Sequence, residues 1–116
     1  MKDQKEISMA EVTADNVYAK IGELIEGNEL IVFIKGSSTM PMCGFSARVI
    51  EILNMNGADY KTVNVLDNMI VREGIKKFSN WPTIPQIYFK GEFIGGCDIV
   101  SDMHQNGELK ELLAGG

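Results

Sequence analysis

Cysteine, histidine and proline are scarce in this 116-residue chain, which has two, one and three of them respectively. Two cysteines point to a reducing compartment and reactive thiols rather than to a disulfide scaffold. A single histidine, His104, cannot build a metal site by itself and is expected to lie exposed near a helix end. Cations are in deficit: 11 Lys and Arg stand against 16 Asp and Glu, for a net charge of −5. That balance excludes nucleic acid as a general partner, because phosphate backbones need clustered cations. Long apolar runs are missing as well. The longest, Leu30 to Ile34, is far too short to cross a bilayer. No apolar segment follows the charged stretch Met1–Met9, so no leader is expected and no membrane contact. The expected compartment is the cytoplasm, with the mitochondrial matrix as the alternative. What remains is ordinary: 45% hydrophobic residues, enough for one compact domain with its own core.

Residues 1–12 are polar and without pattern, and they read as a flexible tail ahead of a single domain at 13–116. The first helix follows Asp15, with Val17, Ile21, Leu24 and Ile25 on one face and Gly27-Asn28 as its stop. Leu30–Ile34 is a continuous apolar run and reads as a buried central strand. A second helix begins near Gly44, its apolar stripe being Phe45, Val49, Ile52 and Leu53. Tyr60–Val65 reads as a strand. Asp67 is the expected N-cap of a third helix whose face is Val71, Ile75 and Phe78. The two prolines in Trp81–Pro85 forbid regular helix there. Gln86–Phe89 and Glu92–Ile94 flank Lys90-Gly91, a hairpin signature. Asp98 is the expected cap of a helix to Gln105, and Asn106-Gly107 separate it from a last turn or two at Glu108–Leu113. Helices alternating with the early strands favour parallel pairing, followed by the hairpin. The expected class is α/β, a mixed four-stranded sheet flanked by helices.

Cys43 stands just before the second helix. A helix N-terminus offers unpaired N–H groups and a partial positive charge, and both favour thiolate over thiol. Lys35 closes the preceding strand, and the chain must return near it to start the helix. Ser46 takes the place where a Cys-x-x-Cys motif has its second sulfur, so this site cannot resolve a mixed disulfide by itself.

Lys35-Gly-Ser37 followed by Pro41-Met-Cys-Gly-Phe-Ser46 resembles the signature of the Cys-Gly-Phe-Ser class of monothiol glutaredoxins. Trp81-Pro-Thr-Ile-Pro-Gln86 and Gly91-Glu-Phe-Ile-Gly-Gly-Cys-Asp98 resemble two further motifs of the same family, in the same order. The resemblance runs from about Val17 to the C-terminus. It implies a thioredoxin fold, a cis Ile84–Pro85 bond and a glutathione site. Glutathione has two carboxylates, an ammonium group and two peptide units. The resemblance sets its glycine-end carboxylate near Lys35 and Arg72, with Lys76 left open. Its cysteinyl unit would lie along the backbone of Ile84, and its γ-glutamyl end at Cys97 and Asp98. The Cys97 sulfur reads as a packed small side chain rather than a ligand.

The resemblance also implies a function. A 2Fe–2S cluster takes four thiolates. Cys43 and one glutathione from each of two chains complete four, giving a homodimer when the cluster is bound. The expected role is cluster transfer from an iron–sulfur scaffold to acceptor proteins, with a BolA-like protein as a further partner. The alternative is an enzyme, a glutathione-dependent oxidoreductase acting on protein mixed disulfides, with weak activity.

Overall fold

A computed structural model describes residues 4–115. Its centre is strand β1, Leu30–Ile34, in which all five residues are buried. A strand buried on both faces sends alternate side chains into two different cores. Ile31 and Phe33 point to one, where helices α1 (Val17–Gly27) and α3 (Met69–Ser79) supply Val17, Ile21, Val71 and Ile75. Leu30, Val32 and Ile34 point to the other, closed by α2 (Gly44–Met55), α4 (Cys97–Asn106) and α5 (Glu108–Gly115) through Val49, Leu53, Val100 and Leu109. The continuous apolar run of β1 is thus the sum of two interleaved faces.

The sheet order is β2-β1-β3-β4. Strand β2 (Lys61–Asn64) runs parallel to β1, as the intervening helix α2 requires, with Val32 opposite Thr62. Strand β3 (Gln86–Phe89) is antiparallel to β1, and β4 (Glu92–Gly95) is antiparallel to β3. The β3–β4 turn is Lys90-Gly91, with φ of 51° and 85°, the pair of positive angles that a two-residue hairpin favours. A parallel βαβ half followed by an antiparallel hairpin, with helices on both faces, is the thioredoxin fold.

Several expectations meet a different structure. Residues 1–3 of the expected tail lie outside the described residues, but from Lys5 to Val12 the chain is packed against the domain. Thr62 N–H donates to the carbonyl of Lys5 (2.9 Å), and Ile7 N–H donates to the carbonyl of Thr62 (2.8 Å). Met9 is buried, and the Asn68 side chain donates to the carbonyls of Met9 (2.9 Å) and Val12 (2.8 Å). Ile7, Met9 and Val12 are too few to register as a pattern, yet they suffice to cover the open edge of β2. The N-cap of α3 is Asn68, whose side chain accepts from Ile70 N–H (3.0 Å), because Asp67 ends a 3₁₀ turn at Val65–Asp67. Gly96, not Asp98, caps α4, so Asp98 sits inside its first turn. Phe45 and Phe78 lie at the exposed margins of their helices, not in the core. His104 is partly buried and hydrogen-bonded through Nδ1 to the Asn56 side chain (3.2 Å).

Candidate functional site

The segment between β1 and α2 folds tightly back on itself. Met42 N–H donates to the carbonyl of Lys35 (2.8 Å), and Ser37 N–H to that of Met40 (3.2 Å). Gly36 has φ 95°, and a Cβ on it would lie 2.5 Å from the Met40 carbonyl oxygen and 2.7 Å from Met42 N. Only glycine fits. Its own N–H donates to Asn64 Oδ1 (2.9 Å), which ties the turn to the end of β2. The turn therefore delivers the next residue, Cys43, to a fixed place as the N-cap of α2.

The Cys43 thiol is partly exposed and is not part of a disulfide. Burial pushes its pKa up, but the amide and hydroxyl of Ser46, the amide of Phe45 and the charge of Lys35 outweigh burial. The net result is a thiol held below its ordinary value. Ser46 is fully buried, and its hydroxyl also accepts a hydrogen bond from Lys35 N–H (3.1 Å). The serine in place of a second cysteine is thus a fastener between β1 and α2 as well as a partner of the sulfur. Around the thiol, Met40, Met42 and Phe45 are 69%, 63% and 63% exposed and form an apolar collar.

Beside this helix start lies a cleft of about 340 Å³. One side is Lys35 and Phe45. Another is Lys76 with the loop Trp81–Pro85, in which the Ile84–Pro85 bond is cis as expected. The third is Gly96–Ile99 at the start of α4. Of the candidate residues, Lys35, Ile84, Cys97 and Asp98 meet here, with Cys43 at the neighbouring helix start. Arg72 is not among the lining residues; its Nε is buried without a partner among the described residues, while Lys76, one turn nearer the loop, lines the cleft. Lys76 Nζ lies 3.4 Å from Glu73, an exposed and therefore weak pair that leaves the cation usable. The cleft is lined by two cations, Lys35 and Lys76, and by one anion, Asp98, at the start of α4, so it carries both signs of charge that a zwitterion needs.

Cys97 is the first residue of α4. Its sulfur lies 4.0 Å from the Ser101 hydroxyl, and its side chain packs against the second core. The packed reading of Cys97 therefore fits its surroundings. The Trp81 ring packs against Phe93 in a tilted arrangement, with ring centroids 5.5 Å apart. Among the described residues no group of three or more His, Cys, Asp or Glu side chains could hold a metal ion, and no helix is long and apolar enough to cross a membrane. Two residues take places that the sequence pattern does not indicate. Gln86 is fully buried, and its only trace is a polar residue opening an apolar strand. Phe45 has the helical spacing of the core stripe, yet it is exposed and lines the cleft.

With this geometry in place, comparison with known proteins defines the class. The glutaredoxin family model matches residues 30–94, and the chain belongs to the glutaredoxin family. Within it the relatives place the chain in the monothiol class. It is 53% identical over 95 residues to an uncharacterized monothiol glutaredoxin of Synechocystis sp., covering 82% of this chain and 89% of that protein. It is 56% identical over 92 residues to the mitochondrial glutaredoxin-related protein 5 of Danio rerio, covering 78% of this chain and 59% of that longer protein. Among solved structures, a buckwheat glutaredoxin–glutathione complex superposes with a TM-score of 0.76 at 28% identity, covering 87% of this chain and 90% of that one.

Proposed function

We propose that the protein uses Cys43 and bound glutathione to hold a 2Fe–2S cluster between two copies of the chain, and that it passes this cargo to acceptor proteins in iron–sulfur assembly. The observation that carries this reading is a solitary activated thiol. Cys43 is partly exposed, its pKa is lowered, and the place of a resolving sulfur holds the buried hydroxyl of Ser46. Four thiolates are needed, and one chain supplies one at this helix start. The donor set therefore fits a shared cluster and does not fit one held by a single chain.

Glutathione supplies the second thiol per chain. Lys35 and Lys76 suit its glycine-end carboxylate, the Ile84 backbone its cysteinyl unit, and the α4 start with Cys97 and Asp98 its γ-glutamyl end. Arg72 acts only as a supporting charge on α3. The glutathione complex of the buckwheat relative supports this use of the fold. The collar of Met40, Met42 and Phe45 gives a second copy, or a BolA-like partner, an apolar surface to cover. Two of the four ligands are exchangeable small molecules, which suits handing a cluster from scaffold to acceptor. The proposed setting is a reducing compartment, the cytoplasm first and the mitochondrial matrix as the alternative.

The accessible low-pKa thiol also favours a second, weaker activity. Cys43 thiolate attacks the glutathione sulfur of a protein mixed disulfide, a Cys43–glutathione disulfide forms, and the protein thiolate leaves. A second glutathione thiolate then attacks that disulfide, releasing glutathione disulfide and regenerating Cys43 thiolate.

The test is anaerobic reconstitution with iron, sulfide and glutathione. The expected product has the visible absorption of a 2Fe–2S cluster and one cluster per two chains. A protein that takes up no iron and sulfide, yet reduces mixed disulfides, reverses the order of the two readings.

A further inference from the structure

A fully buried polar side chain lies directly behind the cleft wall. Gln86 opens β3 immediately after the loop Trp81–Pro85 and has no solvent exposure. Its Nε2 donates to the carbonyls of Trp81 (3.1 Å) and Thr83 (3.2 Å), and its Oε1 accepts from the Tyr88 hydroxyl (3.0 Å). Both amide protons are thus committed to the loop. Tyr88 is itself buried, and burial pushes its phenol up to about 12, only partly offset by the Ser79 side chain. Ser79, the last residue of α3, accepts from Trp81 N–H (3.1 Å) and donates to the Ile75 carbonyl (2.9 Å). The loop is therefore held from beneath at three backbone atoms: Trp81 N, Trp81 O and Thr83 O.

The remaining residues of β3, Ile87, Tyr88 and Phe89, are buried and largely apolar. An apolar residue at 86 would avoid the cost of desolvating an amide, but it would leave two loop carbonyls without their donors. The loop also abuts the start of α4. A Cβ on Gly96 would lie 3.3 Å from both the Pro85 carbonyl oxygen and Trp81 Nε1. A shift of the loop would therefore move two of the three cleft walls against each other.

We propose that Gln86, backed by Tyr88 and Ser79, is a positioning residue that fixes the Trp81–Pro85 loop and thereby sets the affinity of the cleft for glutathione. This rests on the glutathione reading above and adds to it a residue that touches no ligand.

Trp81 is the chain's only tryptophan, so its emission reports on the loop without a label. The full chain is compared with Gln86→Met and Tyr88→Phe by Trp81 emission and acrylamide quenching, calorimetric titration with glutathione, thermal melting, and the pH profile of Cys43 alkylation. The expected result is red-shifted emission and stronger quenching in both variants, measured well below their melting temperatures. Glutathione should bind about tenfold more weakly to Gln86→Met and about threefold more weakly to Tyr88→Phe, reflecting two donors lost against one. The Cys43 profile should stay in place, because the thiol is set by α2. Lower melting temperatures with wild-type emission, quenching and affinity would overturn the proposal, leaving Gln86 a core residue. A changed Trp81 signal with unchanged affinity would overturn it as well. If Gln86→Met does not fold, Tyr88→Phe decides by the same criteria. A wild-type chain that binds no glutathione would sink the glutathione reading, and the Trp81 response would still decide whether Gln86 fixes the loop.

Discussion

Helices α2 and α4 each begin at one of the two cysteines, and their surroundings differ. Cys43 precedes α2 as its N-cap, delivered there by a glycine-dependent turn. The Ser46 hydroxyl, two amides and Lys35 act on its sulfur, and exposed methionines flank it. Cys97 lies one place inside α4, after Gly96 has taken the cap, and its side chain rests on Ser101 and the core. A helix start offers the same amides and dipole in both cases. What separates the reactive position from the packed one is which atom the chain presents to those amides, and whether a cation and a hydroxyl stand beside it.

The sharpest way to break this contrast is to remove each sulfur in turn. Cys43→Ser should abolish cluster uptake on reconstitution, and Cys97→Ser should retain most of it, both read as iron and acid-labile sulfide per chain. Equal losses would put the two helix starts on the same footing.

A smaller effect concerns the charges that face the cleft between them. Lys76→Gln should weaken glutathione binding by about 1.5–3 kcal/mol if its bond is charge-assisted, and Arg72→Ala by less, because only Lys76 lines the cleft. Titration calorimetry of the two variants ranks them, and a larger loss for Arg72→Ala would reverse the assignment.

The smallest effect is on the thiol itself. Its pKa is depressed in the fold, so the fold favours thiolate, and that preference is lost as pH falls through the folded value. Alkylation of Cys43 should therefore reach half its maximal rate below the ordinary thiol pKa of about 8.5. Ser46→Ala should move that midpoint upward more than Lys35→Gln does, since the serine acts on the sulfur more strongly than the lysine charge. Iodoacetamide labelling across pH reads all three, and a larger shift for Lys35→Gln would show the cation to dominate.

The sequence is informative where one residue decides a local question. The run Leu30–Ile34 marks the central strand because two faces are apolar at once, and Lys90-Gly91 marks the hairpin because the turn needs two positive φ angles. The place of Cys43 before the α2 stripe is equally plain. The sequence is silent where the decision is made at long range. Lys5–Val12 carries only three apolar anchors, and its partner is a strand edge more than fifty residues away. Phe45 has core spacing but is exposed and lines the cleft, while its neighbour Ser46 takes the buried place in the first turn of α2. Lys76 and Arg72 share a helical face, and only the placement of the loop at Trp81 distinguishes them. Asn68 outcompetes Asp67 as a cap because a 3₁₀ turn consumes the aspartate, which periodicity cannot foretell.

The central claim is that one thiol per chain makes cluster, glutathione and dimer a single linked assembly. Size-exclusion chromatography with visible absorbance detection, run with glutathione present and after its exhaustive removal, tests this directly. The account predicts a coloured dimer with one cluster and two glutathiones, and a colourless monomer once glutathione is stripped, since ligand occupancy and assembly are coupled by mass action. A cluster that stays on a monomer without glutathione would contradict it and make Cys97 a protein ligand.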